Sequence, residues 1–149
     1  SEVEERIRSR CRFIKHAYVF GRGQAHPCLM IFPDFELLQT DSSCQDKINP
    51  GRFTDEASCA YPESVPALSQ CLGRCLREIN DSTQIRFEKI KKAIIVQREL
   101  SIENNELTPS FKLIPRSIEE RYREYIIAVE NDRIDQLPKD AVALMDRES

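Results

Sequence analysis

Hydrophobic positions recur at helical spacing in three stretches of the chain. The first stretch carries Val3, Ile7, Cys11 and Ile14, with charged residues between them. The second follows Ser64, a typical N-cap residue, and has Pro66 in its first turn. Its apolar face carries Val65, Leu68, Leu72, Leu76 and Ile79. Intervals of three and four residues predict amphipathic helices in both stretches.

The third stretch begins at Ser117, where a helix is predicted to open. Ser117 and Glu120 have the spacing of a capping box, in which each side chain satisfies a free backbone donor of the first turn. The apolar face of this helix carries Ile118, Tyr122, Tyr125, Ile126 and Val129.

Three shorter apolar runs have the composition of strands. Residues 17–20, 28–32 and 91–97 are rich in β-branched, aromatic and other apolar side chains. Gly21 and Gly23 separate the first two runs, which indicates a turn and a hairpin-like pair. The order helix, strand, strand, helix, strand, helix predicts an α+β domain, in which a small, roughly three-stranded sheet packs against helices.

Two segments interrupt or follow this pattern. Residues from about 39 to 62 are polar and lack periodicity, which predicts a surface insertion. The domain is therefore expected to span residues 1–131, with a polar tail over 132–149. Within that tail the apolar run at 141–145 is interpreted as one more short helix.

Composition narrows the class of protein. The chain has 149 residues, 40% hydrophobic and 32% charged, which suits one domain with a real core. No apolar run approaches the about 18 residues that a membrane helix needs, and the N-terminus lacks a signal peptide. Because it also lacks an initiator Met, we treat the chain as a fragment of a longer protein, and expect that protein to be cytoplasmic.

Charge argues against nucleic acid as a partner. The formal net charge is -3, whereas phosphate binding requires a concentrated basic face. The first helix does contain a basic run, which we interpret as a solvated face rather than a phosphate site. That run consists of Arg6, Arg8, Arg10, Arg12 and Lys15.

The six cysteines are expected to be reduced thiols. No secretory segment precedes them, their spacing is irregular, and Cys71 and Cys75 lie on the apolar face of a predicted helix. No Cys-x-x-Cys pair occurs, and the two histidines, His16 and His26, are isolated from other metal ligands except Cys28. The sequence therefore predicts no metal site.

Several catalytic classes lack their sequence signatures here. With only four glycines, the chain has no phosphate-binding loop and no dinucleotide-binding turn, and it has no Gly-x-Ser-x-Gly nucleophile motif. One polar loop does end in a cation that merits attention. Lys112 stands between Phe111 and Leu113, and Pro109 and Pro115 restrict the backbone on either side. From the residues alone, Lys112 is either a lysine held at a loop tip or an ordinary solvated one.

The segment from Leu107 to Leu113, Leu-Thr-Pro-Ser-Phe-Lys-Leu, resembles the last core motif of the adenylate-forming enzymes. Arg116 and the pair Arg121-Tyr122 follow it, as in that motif, and the likeness is greatest to fatty acyl-CoA synthetases. The first helix, the strand that runs into Gly21, the strand end at Pro33 and the later central strand occur in the matching order. Over residues 1–131 the chain thus resembles the small C-terminal domain of that superfamily.

The resemblance implies a two-step reaction. ATP activates a carboxylic or fatty acid as an acyl-adenylate, and the acyl group then passes to a thiol such as coenzyme A. Lys112 matches the catalytic lysine of the first step. Arg116 matches one of the basic residues that follow that lysine, for which the resemblance implies either phosphate binding or support of the hinge. An ammonium group between a carboxylate and the α-phosphate lowers their repulsion. Arg116 is equally consistent with a solvated arginine at a helix entry.

The resemblance also implies partners outside this sequence. ATP, Mg²⁺ and coenzyme A would be bound by the full-length enzyme and none by this domain alone, which is expected to be inactive. A large N-terminal adenylation domain of the same chain would be its main partner, and the whole protein could associate peripherally with a membrane. One alternative is the adenylation lobe of a carboxylic-acid-reductase-like enzyme that uses a carrier-protein thiol. Another is a non-catalytic interaction domain with the same fold.

Overall fold

The computed structural model describes residues 2–21, 26–35, 65–82 and 89–145. In chain order these form α1 (Glu2–Arg10), β1 (Ile14–Phe20), β2 (Cys28–Pro33), α2 (Val65–Ser82), β3 (Lys92–Val96), α3 (Pro115–Arg121), α4 (Arg123–Glu130), a 3₁₀ turn (Ile134–Gln136) and β4 (Ala141–Met145). The predicted polar insertion at 39–62 and the predicted cap at Ser64 lie outside the described residues. No helix among the described residues is long and apolar enough to cross a bilayer.

The strands form one sheet in the order β1-β2-β3-β4. β1 pairs with β2 in antiparallel fashion, which confirms the predicted hairpin-like pair. β2 and β3 are parallel, and the chain between them includes α2 as the crossover helix. β4 then pairs antiparallel with β3 along the other edge. The predicted α+β class is confirmed, but the sheet has four strands among the described residues rather than three.

The additional strand is the run that we predicted to be a short helix, so that prediction was wrong. Side chains of β4 alternate between the two sides of the sheet: Val142 and Leu144 pack against one hydrophobic cluster, while Ala141 and Ala143 pack against the other. A short apolar run with both faces covered shows no polar alternation. Its period therefore cannot distinguish a strand from a helix before the sheet edge is known.

The sheet separates two hydrophobic cores. The first lies between the sheet and the helices α1 and α2, and β3 contributes Ala93 and Ile95 to it. The second lies under α3, α4 and the loop that precedes them, and β3 contributes Ile94 and Val96. Since successive residues of a strand point to opposite faces, one buried strand supplies both cores. The loop that carries Lys112 belongs to the second layer.

The last predicted helix differs from the observed one in two ways. It begins at Pro115 rather than Ser117, with Ile114 as N-cap and no side-chain cap. Proline is favoured at the first helical position because its fixed φ suits the helix and its missing N–H has no intrahelical partner there. The helix is also divided at Tyr122, whose φ of -110° and ψ of 26° separate α3 from α4.

The expectation of reduced thiols was wrong for three cysteines, Cys11, Cys71 and Cys75, which are disulfide-bonded. Cys11 and Cys75 are bonded to each other. Cys11 follows α1 and Cys75 lies on α2, and both pack in or against the first core. Their Cα atoms are 6.0 Å apart although 64 positions separate them in sequence. Only the packing of the two helices reveals this proximity. Disulfides persist mainly in oxidising compartments, so the pair lends no support to the predicted cytoplasmic location.

Candidate functional site

The loop between β3 and α3 carries Lys112. Arg116 follows directly after this loop, in the first turn of α3. The loop leaves the sheet after Val96 and narrows where Leu107 and Leu113 form an isolated antiparallel bridge. The backbone N–H of Thr108 donates to the carbonyl oxygen of Lys112 at 2.8 Å. The loop therefore ends in a closed tip, formed by residues 108–112, that the bridge holds at its base.

Three further hydrogen bonds stabilise this loop tip, and Thr108 makes all of them. Its carbonyl oxygen accepts from the N–H of Phe111 at 2.8 Å. Its hydroxyl oxygen Oγ1 accepts from the N–H of Lys112 at 3.1 Å and lies 3.1 Å from Oγ of Ser110. The backbone around Lys112 is thus held by a side chain four residues earlier. Proline at position 109 adds a fixed φ inside the tip.

The side chain of Lys112 is exposed at the loop tip. Within the described part of the chain, no carboxylate lies in ion-pair distance of its ammonium group. Phe111, the preceding residue, is 63% exposed and adopts a φ of 64°. An aromatic residue rarely adopts a positive φ, because its Cβ crowds the backbone there.

A buried carboxylate anchors the base of the loop. Glu106 is 2% exposed, and its Oε2 accepts from the hydroxyl of Tyr122 at 2.9 Å and lies 3.3 Å from Nε of Arg121. Its other oxygen accepts from the N–H of Ser101 at 3.1 Å, and its carbonyl oxygen accepts from the N–H of Ile114 at 3.0 Å. A charge this buried persists only when partners satisfy it. Glu106 therefore fixes the loop to the start of α3 and to Tyr122.

Tyr122 and Tyr125 extend this anchor toward the sheet. Burial, followed by the hydrogen bond to Glu106, raises the pKa of Tyr122 above its usual value. The hydroxyl of Tyr125 donates to Oδ1 of Asp140 at 2.7 Å, and burial together with this bond raises its pKa to about 12. Both phenols therefore remain protonated donors at neutral pH.

Asp140 also pairs with the first part of the loop. Its Oδ2 accepts from Nε of Arg98 at 2.6 Å, while the Arg98 guanidinium lies 5.9 Å from the ring centroid of Tyr122. Partial burial opposes ionisation of Asp140, but the hydrogen bonds from Tyr125 and Arg98 keep its pKa below the usual value. The loop is consequently tied at both ends to the sheet and to the helical layer.

Arg116 lies in the first turn of α3 and is strongly exposed. Its Nε is 3.6 Å from Oε1 of Glu120, one helical turn later, and both side chains are largely in solvent. A pair of this kind contributes little to stability, because water screens it. The guanidinium therefore remains accessible to an anionic ligand.

Sequence reasoning did not find Glu106, Tyr125 or Asp140 as residues that shape the site. A single glutamate in a polar loop has no distinctive spacing, and Asp140 precedes a strand that we had predicted to be a helix. Arg121-Tyr122 did appear as part of the motif, which was the available signal for an anchor. Its partner carboxylate becomes evident only when the loop is folded.

Comparison with known proteins identifies a family that matches most of the chain. A family model described as "AMP-binding enzyme C-terminal domain" matches residues 1–133. No curated protein matches the chain.

Solved structures resemble the chain in fold. One is the A-PCP didomain of carboxylic acid reductase from Segniliparus rugosus in complex with AMP, with 19% identity, a TM-score of 0.59 and coverage of 88% of this chain and 16% of that one. The A domain of carboxylic acid reductase from the same organism, in complex with AMP and a co-purified carboxylic acid, has 19% identity, a TM-score of 0.61 and coverage of 89% and 18%.

A third similar structure is the adenylation domain of a carboxylate reductase from Mycobacterium chelonae, with 15% identity, a TM-score of 0.58 and coverage of 88% and 17%. At these identities the likeness establishes the fold and does not establish a substrate. The chain covers between 16% and 18% of the length of these three solved chains.

Proposed function

The chain belongs to the family of AMP-binding enzyme C-terminal domains, and on that basis we propose that it is the small lobe of an enzyme that converts a carboxylic acid to its acyl-adenylate. Lys112 is the catalytic cation of that step. A larger adenylation portion of the same enzyme holds ATP, Mg²⁺ and the acid. The 149-residue domain alone is expected to be inactive, because the proposal assigns the main binding sites for ATP, Mg²⁺ and the acid to the larger portion.

The observation that carries the proposal is the exposed ammonium group on an anchored loop. Lys112 is the last residue of the tip that Thr108 closes, and the base of that loop is fixed by buried Glu106. A catalytic group that serves another lobe must be accessible, yet its backbone must be restrained so that little entropy is lost on docking. A lysine suits this role because its compact charge is carried on a long side chain.

The chemistry requires a cation where two anions meet. A carboxylate oxygen of the acid attacks the α-phosphorus of ATP, a new P–O bond forms, and pyrophosphate leaves with the electrons of the broken P–O bond. The ammonium of Lys112 reduces repulsion between the carboxylate and the phosphate and stabilises charge in the transition state. Arg116, four residues later and largely in solvent, is proposed as a second phosphate contact.

The two candidate enzyme classes differ in the thiol that accepts the acyl group in the second step. Acyl-CoA synthetases use coenzyme A, whereas a carboxylic-acid-reductase-like enzyme uses the thiol of a carrier protein. The three similar solved structures described above are domains of carboxylate or carboxylic acid reductases, and one includes a PCP domain. These likenesses support the carrier-protein acceptor at least as well as coenzyme A. Both candidates share the adenylation step that we assign to Lys112.

Acid-dependent exchange of pyrophosphate into ATP by the complete enzyme tests the assignment. Lys112→Ala is expected to lower the exchange rate by about a hundredfold or more, the usual consequence of removing one oriented charge from an active site. Lys139→Ala is the matched control, because Lys139 is also exposed but precedes β4. Wild-type exchange by the Lys112 variant would exclude the catalytic role and favour the non-catalytic interaction domain.

A second assay distinguishes the acceptors. The enzyme is supplied with acid, ATP and Mg²⁺, and then with either coenzyme A or a phosphopantetheinylated carrier domain. Accumulation of acyl-CoA supports the synthetase, while acylation of the carrier domain alone supports the reductase-like enzyme.

A further inference from the structure

Phe111 combines two unfavourable features at the loop tip. Its φ of 64° lies in the left-handed region, which crowds a side chain with a Cβ, and 63% of the residue is exposed to solvent. It belongs to neither hydrophobic core of the described structure. Strained backbone of this kind persists where surrounding contacts impose it, and it is concentrated at functional sites.

Two hydrogen bonds to Thr108 impose this conformation. Thr108 accepts from the N–H groups of both Phe111 and Lys112, through its carbonyl and hydroxyl oxygens respectively. These bonds fix the backbone on both sides of the aromatic residue. The ring and the ammonium group are therefore displayed by consecutive residues of one restrained tip.

Adjacency then determines where the ring must go. Consecutive Cα atoms are about 3.8 Å apart, so a movement that brings Lys112 to reactants on another lobe brings Phe111 to that lobe as well. Burial of an exposed aromatic ring in an apolar pocket is favourable, and such a contact also excludes water from around a neighbouring charge. The exposure and strain that are unfavourable in the isolated domain would be offset in the docked state.

We propose that Phe111 is a positioning residue for Lys112, and that its ring docks into an apolar seat on the large adenylation portion of the same enzyme during acyl-adenylate formation. The proposal rests on the function proposed for Lys112. The seat is assigned to the larger portion because the similar solved chains are about five times as long as this chain, which covers 16% to 18% of them. The ring orients the ammonium group and does not contact the reacting atoms.

The substitution Phe111→Gly has opposite expected effects, depending on whether the ring of Phe111 docks on the larger portion. If the ring is only a strained and exposed residue, Phe111→Gly relieves the backbone, and catalysis stays the same or improves. If the ring docks, the same change removes the contact and lets the tip relax. The rate of adenylation must then fall although the domain is as stable as before or more stable.

The experiment compares Phe111→Gly and Phe111→Leu in the complete enzyme, with Ile134→Ala as control. Ile134 is another large apolar residue that is 44% exposed, but it lies in the 3₁₀ turn. Measurements are kcat and KM for acid-dependent pyrophosphate exchange, and thermal unfolding. We expect kcat to fall about 5- to 30-fold in the glycine variant, from loss of most of a phenylalanine burial. KM for ATP and acid should remain unchanged, because the larger portion binds them.

The leucine variant provides the rescue. It keeps an apolar side chain and a similar backbone cost, so it should recover at least half of the logarithmic loss seen with glycine. Ile134→Ala should retain wild-type kcat. The proposal is overturned if Phe111→Gly keeps kcat within twofold of wild type, or if Phe111→Leu is as slow as Phe111→Gly.

The two proposals fail in different ways. Wild-type exchange by Lys112→Ala would remove the proposed function, and the role of Phe111 with it. Loss of exchange in Lys112→Ala together with full activity in Phe111→Gly would remove only the positioning role.

Discussion

The buried carboxylate of Glu106 offers the most quantitative test of how this loop is held. Glu106→Ala removes the acceptor of the buried Tyr122 hydroxyl at 2.9 Å and of the Ser101 N–H at 3.1 Å. It also removes the contact with the half-exposed Arg121. The loop base then contains two donors that have lost their partners.

The cost follows from these donors. A buried donor that loses its partner costs about 1 to 3 kcal/mol, and the exposed contribution of Arg121 is small, so we expect a total loss of about 2 to 4 kcal/mol. For a domain of typical stability, about 5 to 15 kcal/mol, this is a large share. With a urea m-value of about 2 kcal/mol per molar, the unfolding midpoint should fall by about 1 to 2 M.

Urea unfolding followed by far-UV circular dichroism is the assay. Glu103→Ala is the matched control, since Glu103 is an exposed glutamate in the same loop and its removal should cost less than about 0.5 kcal/mol. A double-mutant cycle with Tyr122→Phe should give a coupling of about 1 kcal/mol or more. Equal midpoints for wild type and Glu106→Ala, or additive effects of Glu106 and Tyr122, would refute the anchor.

Three other changes have defined outcomes. Cys11→Ala with Cys75→Ala removes the disulfide and should lower the free energy of unfolding by about 2 to 4 kcal/mol, measured by urea unfolding; equal stability would contradict a closed crosslink. His16 is buried, and burial, followed by the charge of Arg8, lowers its pKa to about 4 from 6.5. The unfolded chain therefore binds more protons, so stability should be complete above about pH 6.5 and decline as pH falls toward 4, a trend that His16→Gln should reduce in pH-dependent melting. Thr108→Val removes the hydroxyl that accepts from Lys112 N–H, and should slow pyrophosphate exchange about tenfold with little change in melting temperature; an unchanged rate would contradict the restrained tip.

Elements with a strong period were predictable from the sequence. The stripe on α2 recurs over many turns, and the β-branched run of β3 is too short for a helix, so both appear close to their predicted positions. The parallel pairing of β2 and β3 was not predicted, although a helix between two strands is the usual connection of a parallel pair. The α+β class was therefore accessible from local patterns alone.

Features that depend on distant contacts were not predictable. β4 is covered on both faces, so its apolar run carries no alternation, and its partner β3 lies about 50 residues earlier. The Cys11–Cys75 disulfide depends on how two helices pack across 64 residues. In the sequence Glu106 looks like any other polar loop residue, and its role becomes apparent only from its hydrogen bond with Tyr122 in the folded structure. Lys112 was singled out by a motif, and its catalytic role stays a prediction.

Separating the two half-reactions tests the central claim most directly. The complete enzyme carrying Lys112→Ala is assayed in single turnovers, first for acyl-adenylate formation from acid and ATP, and then for thioester formation from supplied acyl-adenylate and the thiol acceptor. We expect the first rate to fall by about a hundredfold or more, because the charge between the two anions is lost. The second rate should stay within about threefold of wild type, because attack of the thiol on the acyl-adenylate does not require the Lys112 ammonium group. Equal losses in both rates, or no loss in the first, would contradict the account.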